Sequence, residues 1–315
     1  MQWNRGRPVL GVGLGLAFVL GYVVAAALTR QPKLLLRGSW LWPRDTLKDP
    51  GYVLVGAAKQ LRGVNQNISG LTYSTATNTL FAVINQPERV VELDQCGRVL
   101  RILPAAFGDD IEAISHVAGD LFVIASEKGN EVWGARIAAD TKRVVPVSSR
   151  TLSASFNGNA NQGLEGLSWD HRGQRLFLAN EKNPLQIVEV RGSDQLLLGQ
   201  PTSLSFTVWN PQYALGQLAG DVSSISFNER WNAMTVLSHE SRRVFRFDGQ
   251  GEPSLILRLE RGHHGLREDV SQPEGLAFGP EDDLYIVAEP NQFYRFVPRS
   301  VSGQRGSGVG QAGRC

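Results

Sequence analysis

Apolar residues follow two different patterns along this chain. Over residues 9–28 they run without a single charge, broken only by Gly, Ala and one Tyr. A twenty-residue helix with ~1.5 Å rise per residue is about 30 Å long, the thickness of a bilayer's hydrocarbon core. From residue 52 onward the apolar runs become short, rich in β-branched and aromatic residues, and bounded by Gly, Asn, Asp and Pro. That second pattern predicts strands joined by tight turns.

Five segments of the strand region share one layout, and a repeat of this kind decides the fold. Each opens on an inner strand, at 68–72, 111–115, 164–168, 222–226 and 273–277. A second apolar run follows at 79–84, 121–125, 175–179, 233–237 and 284–288, and a third at 89–93, 132–137, 186–190, 243–247 and 292–297. In two copies a Gly-containing turn leads to a fourth strand, at 98–103 and 253–257. An isolated four-stranded sheet buries little, so such units must stack on their neighbours. The fold expected is all-β, a five-bladed β-propeller preceded by an N-terminal transmembrane helix. The last copy lacks a fourth strand, and residues 52–55 form a β-like piece without a blade. The early strand is therefore expected to complete the last blade, which also covers an exposed edge.

The boundaries that follow are a membrane anchor at 1–28, a Pro- and Trp-containing linker at 29–51, the propeller at 52–298, and a Gly/Ser/Arg-rich disordered tail at 299–315. The composition of 34 Gly and 15 Pro against 2 Met suits many turns. A net charge of +2 lacks the concentrated basic face of a nucleic-acid binder. The apolar segment exceeds an ordinary signal-peptide core, which favours an uncleaved anchor, although Ala25-Ala26-Ala27 would also suit a peptidase. Arg5 and Arg7 before it, and Arg30, Lys33 and Arg37 after it, leave the orientation undecided by charge. Because N-terminal anchors commonly serve export, the expected location is the inner (plasma) membrane, single-pass, with the propeller on the periplasmic side. The chain has two cysteines, Cys96 and Cys315, which read as unpaired thiols.

Candidate chemistry comes from two positions that recur in the repeats. One lies in the inner strand: Ser69, Glu112, Glu165, Ser223 and Glu274. The other follows the second strand: Asn85, Glu127, Glu181, Glu240 and Glu289. Inner strands line a shared channel, so these carboxylates should converge, and unpaired buried carboxylates are costly. A hard cation with oxygen ligands would compensate, and Ca²⁺ fits that donor set. The metal ligands expected are Glu112, Glu165 and Glu274, with Glu181, Glu240 and Glu289 from the second ring. Neutralisation by Lys128, Lys182 and Arg242 is the competing reading. His239 at a strand end is a candidate general base or a structural residue. No HExxH, Cys/His zinc spacing, Gly-x-Ser-x-Gly or phosphate-cradling loop occurs.

The stretches Asn67-Ile68-Ser69-Gly70-Leu71-Thr72, Glu181-Lys182-Asn183-Pro184, Leu237-Ser238-His239-Glu240-Ser241-Arg242 and Glu289-Pro290-Asn291-Gln292-Phe293-Tyr294-Arg295-Phe296 resemble the bacterial SdiA-regulated family. The resemblance spans about residues 52–298. It implies a five-bladed, distantly NHL-like propeller with a calcium site behind a membrane segment, and it implies no particular activity. Two functions stay open. One is an envelope-associated calcium-binding module whose propeller face takes an unknown protein or small-molecule ligand. The other is a calcium-dependent hydrolase, esterase- or lactonase-like, with the metal at the channel mouth.

Overall fold

The computed structural model describes residues 51–299, except 109, 150, 154–162, 183, 201 and 210–214. The apolar segment 9–28, the linker up to residue 50 and the tail from residue 300 lie outside the described residues. Among the described residues no helix is long and apolar enough to cross a membrane.

The chain opens with β1 (Tyr52–Leu54) and β2 (Lys59–Gln60). Blade 1 is β3 (Ile68–Ser74), β4 (Thr79–Ile84), β5 (Arg89–Leu93) and β6 (Val99–Pro104). Blade 2 is β7 (Ile111–Ala118), β8 (Leu121–Ser126), β9 (Glu131–Arg136) and β10 (Leu152–Ser153). Blade 3 holds β11 (Leu164–Asp170), β12 (Arg175–Asn180) and β13 (Gln186–Arg191). A short helix, α1 (Ser193–Leu197), then precedes β14 (Ser205–Trp209). After α2 (Leu215–Leu218), blade 4 is β15 (Ser224–Asn228), β16 (Ala233–Ser238), β17 (Arg243–Phe247) and β18 (Pro253–Arg258). Blade 5 is β19 (Pro273–Phe278), β20 (Leu284–Ala288) and β21 (Gln292–Pro298). All five sheets are antiparallel, four of them simple meanders and the fifth completed by β1 and β2, so the fold is the expected five-bladed propeller.

The ring closes as expected. β1 pairs with β21 in the register Tyr52↔Pro298, Val53↔Val297 and Leu54↔Phe296, and β2 pairs with the start of the same strand. His264 fastens the closing strand. Its Nδ1 donates to the Tyr52 carbonyl at 3.0 Å, its Nε2 accepts the Arg258 N–H at 3.0 Å, and its own carbonyl accepts the Leu54 N–H. The Gly262–Gly265 loop thus serves architecture.

Apolar residues form five buried clusters, one between each adjacent pair of blades. Phe81, Ile111 and Phe122 join blades 1 and 2, and Leu237, Leu276 and Phe296 join blades 4 and 5. Val123, Leu164 and Leu178 join blades 2 and 3, Phe177, Ile225 and Phe245 join 3 and 4, and Ile68, Leu80 and Tyr285 join 5 and 1. Each fully buried side chain of this size contributes about 1.5–3 kcal/mol, and none of it is available to a lone blade. Near the axis the inner strands approach so closely that only small residues fit. A Cβ on Gly275 would lie 2.6 Å from Val287 and 2.8 Å from the Gly70 backbone. One on Gly70, which has φ +38°, would lie 2.6 Å from the Glu112 carbonyl oxygen.

Two features differ from expectation. Blades 2 and 3 have fourth strands, β10 and β14, that no turn signal announces. A connection with α1 separates β14 from β13, so the repeat is stretched there. Cys96 is disulfide-bonded, which corrects the expectation of two unpaired thiols. A turn cysteine in a propeller has no sequence spacing that reports its partner, and Cys315 lies outside the described residues.

Candidate metal centre at the channel mouth

The inner strands β3, β7, β11 and β19 each carry a β-bulge near their start. In three of them the extra residue is a glutamate: Glu112 between Ile111 and Ala113, Glu165 between Leu164 and Gly166, and Glu274 between Pro273 and Gly275. A bulge frees its residue from the ladder and re-aims the side chain, which brings these carboxylates together. The second recurring position is fastened beside the first. The backbone N–H groups of Glu127, Glu181 and Glu289 donate to the carbonyls of Asp110, Gly163 and Gln272, each two residues before an inner-strand glutamate.

Among the described residues two carboxylate clusters result, and each could hold a metal ion. Asp110, Glu112 and Glu127 present oxygens within 4.8 Å of one another, as do Glu127, Glu165 and Glu181. Glu127 belongs to both, so the clusters are continuous. The electrostatics carry the mark of crowding. Burial, with Asp110 and Glu127 adding to it, pushes Glu112 up to about 7, against hydrogen bonds from Ser69 and Asn85. Glu165 is raised well above the usual carboxylate range, first by burial and then by Glu112, Glu274, Glu127 and Glu181. Burial, then Glu112, Glu289, Asp221 and Glu181, take Glu274 up to about 8. Glu127 and Glu289 are raised as well, chiefly by burial.

The donor set fits a hard cation. Asn85 Nδ2 donates to Glu112 Oε1 at 2.6 Å, while the buried Asn85 Oδ1 has no hydrogen-bond partner. A buried carbonyl-type oxygen without a donor, beside carboxylates that repel each other, is complementary to an oxygen-seeking ion. The two serines of the ring are spent on ties between blades. Ser69 hydrogen-bonds Glu112, and Ser223 Oγ donates to the Pro273 carbonyl at 2.8 Å.

The remaining expected ligands stand outside the two clusters. Lys182 Nζ lies 2.9 Å from both Glu181 and Glu240, so Glu240 is engaged by a lysine and Glu181 is shared between lysine and cluster. Glu274 Oε1 faces His239 Nδ1 at 3.4 Å, and His239 partly offsets the rise that burial imposes on Glu289. Arg242 turns instead to Asp269, at 3.6 Å.

Asp110 and Asp221 are absent from the sequence-based candidates. Both sit two residues before the inner-strand position, in register with Asn67, Gly163 and Gln272, and Asp110 adopts φ +66°. Asp221, 2% exposed, accepts from Ser238 Oγ and the Glu240 N–H and adds to the field on Glu274. Extending the repeat alignment two residues upstream would have found them.

Solved structures with this fold include glutaminyl cyclase from Myxococcus xanthus (9% identity, TM-score 0.51, covering 78% of this chain and 95% of that one). A luciferin-regenerating enzyme matches at 11% identity and TM-score 0.48, with coverages of 78% and 95%. Virginiamycin B lyase from Staphylococcus aureus matches at 11% and 0.44, with coverages of 78% and 99%. At such identities the likeness concerns the fold alone. Residues 44–297 match the family described as SdiA-regulated, which is most of the chain, and the protein belongs to that family.

Proposed function

We propose that this protein is a calcium-dependent hydrolase of the cell envelope, acting on ester or lactone carbonyls at the acidic mouth of the channel. The observation that carries this reading is a division of labour among the glutamates. Asp110, Glu112 and Glu127, and Glu127, Glu165 and Glu181, form two linked sets of oxygens that could each hold a hard cation, with the unpaired Asn85 Oδ1 beside the first. Glu274 stands beside them against His239 and is not part of either cluster.

A bound divalent cation would polarise the substrate carbonyl. Asp110 and the four clustered glutamates would hold the ion and, through Glu127, keep the two clusters in register. Glu274, which burial and its carboxylate neighbours push up to about 8 without a cation, could give a proton to the departing alkoxide. His239 would take the proton of the attacking water and share it with the Glu274 carboxylate 3.4 Å away, restoring the starting state. Water adds at the carbonyl carbon, the acyl C–O bond breaks, and acid and alcohol leave.

A second reading is a non-catalytic binding face. It is favoured by Lys182, which ties Glu181 to Glu240 and stiffens the rim. On either reading the apolar segment 9–28 would tether the propeller to the membrane on its extracytoplasmic side. The family association suggests such a location, and a disulfide at Cys96 accords with an oxidising compartment.

The separating experiment is hydrolysis of a panel of esters and lactones by the full-length protein, with calcium and with chelator. Calcium-dependent turnover that falls at least about 100-fold in His239→Ala supports the hydrolase. Calcium binding without turnover of any member favours the binding face.

A further inference from the structure

The ring closes at the seam between blades 5 and 1, where β1 and β2 pair with β21 and Leu80, Leu93, Tyr285 and Phe293 share one apolar cluster. The turn from β5 to β6, residues 94–97, is built into that seam. Tyr285 Oη of blade 5 donates to Gln95 Oε1 at 3.1 Å, and Lys59 Nζ of β2 donates to the Cys96 carbonyl at 2.9 Å. A Cβ on Gly97 would collide with the Phe293 ring of β21. Within the turn, Asp94 Oδ1 accepts the N–H groups of Cys96 at 2.9 Å and Arg98 at 2.8 Å, and Gly97 takes φ +76°. Cys96 therefore sits on a braced turn of blade 1 that lies against blade 5.

Cys96 is disulfide-bonded, and the sequence holds one other cysteine, Cys315. The chain can bring that residue back. Phe293 meets Gly97, and Pro298 stands five residues further along β21, about 17 Å at ~3.3 Å per residue. The stretch 300–314 reaches roughly 50 Å when extended, several times that separation. A bond from Cys315 to Cys96 would thus run from the end of blade 5 to blade 1, across the seam that hydrogen bonds and packing otherwise hold.

We propose that Cys96 is bonded to Cys315 of the same chain, and that this disulfide is a redox-released clasp on the closing seam. It forms by exchange with a disulfide-bearing oxidant of the oxidising compartment. One cysteine thiolate attacks the donor's S–S bond and a mixed disulfide forms, with the first donor thiol leaving. The second cysteine then displaces the other donor sulfur, so two electrons and two protons pass to the donor, which departs as a dithiol. A dithiol reductant runs the same two steps backwards.

The clasp favours the folded ring by loop arithmetic. In the unfolded chain the bond must close residues 97–314, whereas the folded ring already places residue 299 near the seam and leaves only 300–314 to close. Closure probability falls as about the 3/2 power of loop length, so the bond shifts the folding equilibrium roughly fiftyfold toward the native state. The clasp is independent of the chemistry at the carboxylate mouth.

The test starts with full-length protein made in an oxidising compartment and digested without reductant. Mass spectrometry should find the Cys96 peptide joined to the Cys315 peptide, and denaturing electrophoresis without reductant should show a single chain. Melting is then compared for oxidised and dithiol-reduced protein, both in calcium. Reduction should lower the melting temperature by about 5–10 °C, and Cys315→Ser should melt like the reduced wild type with or without reductant. Hydrogen exchange in the reduced protein should rise first in β1, β2 and the 94–97 turn. The proposal is overturned by a Cys96 thiol left free, by two copies joined through Cys96, or by a melt that reduction does not move. Peptide mapping needs no variant, so the pairing is decided even if a substitution impairs folding.

Discussion

The side chain of Asn85 reaches from blade 1 to Glu112 of blade 2, where its Nδ2 donates at 2.6 Å and its Oδ1 is left buried and unpaired. The contact does two things at once. It steadies a carboxylate that burial pushes up to about 7, and it leaves an unpaired oxygen on the same amide. Asn85→Leu should therefore lower calcium affinity, while in chelator the lost bond to Glu112 is partly offset because the unpaired Oδ1 disappears with the amide. Titration calorimetry and denaturant unfolding check the two halves, and an unchanged calcium affinity would exclude Asn85 from the site.

Metal-free stability should fall as pH rises. Glu112, Glu165 and Glu274 all have folded pKa values above the unfolded value. Their contribution is complete below the unfolded pKa of about 4.5 and is lost as pH climbs through the folded values, about 7 for Glu112 and about 8 for Glu274. Melting temperature in chelator should decline from pH 5 to pH 8, and saturating calcium should remove most of that decline. A flat profile in chelator would mean that the carboxylates are compensated by something other than a cation.

Gly275→Ala should destabilise the ring by about 1–3 kcal/mol through overpacking. The added methyl would meet Val287 at 2.6 Å and the backbone of Gly70 at 2.8 Å, with the neighbouring strand unable to retreat from a closed ring. Denaturant unfolding reads the change, and an equally stable variant would show that the inner strands have slack.

His264→Ala should loosen the closure of blade 5. The substitution strips the Tyr52 carbonyl and the Arg258 N–H of their partner, at a cost of about 1–3 kcal/mol for each buried group left unsatisfied. Hydrogen exchange should rise first in β1 and at the end of β21. Uniform exchange across all blades would contradict a closure role.

Much of this architecture was legible in the residues. The second strands at 79–84 and 284–288 and the third strands at 89–93 and 243–247 end where their apolar runs end, because turn residues bound them on both sides. β14 was not legible. Its Phe206 and Val208 are exposed and form no core pattern, and a helix intervenes before it. At the mouth, repeat position alone singled out Glu112, Glu165 and Glu181. It missed Asp110, which is set beside Glu112 by a turn with positive φ rather than by the strand period. The pairing of Lys182 with Glu240 depends on a contact between blades, which no local spacing encodes.

The account stands most directly on whether the mouth holds calcium through Glu165, the carboxylate surrounded by four others. Thermal melts of the full-length protein, with calcium and with chelator, would be compared for the wild type and Glu165→Gln, alongside elemental analysis of bound metal. The prediction is one tightly held calcium in the wild type, with stabilisation approaching about 2.7 kcal/mol at a hundredfold excess over Kd. In Glu165→Gln that calcium response should largely vanish while the chelator-treated protein melts no lower than the wild type. Identical melting of the wild type across a wide calcium range, with no metal bound, would contradict the account.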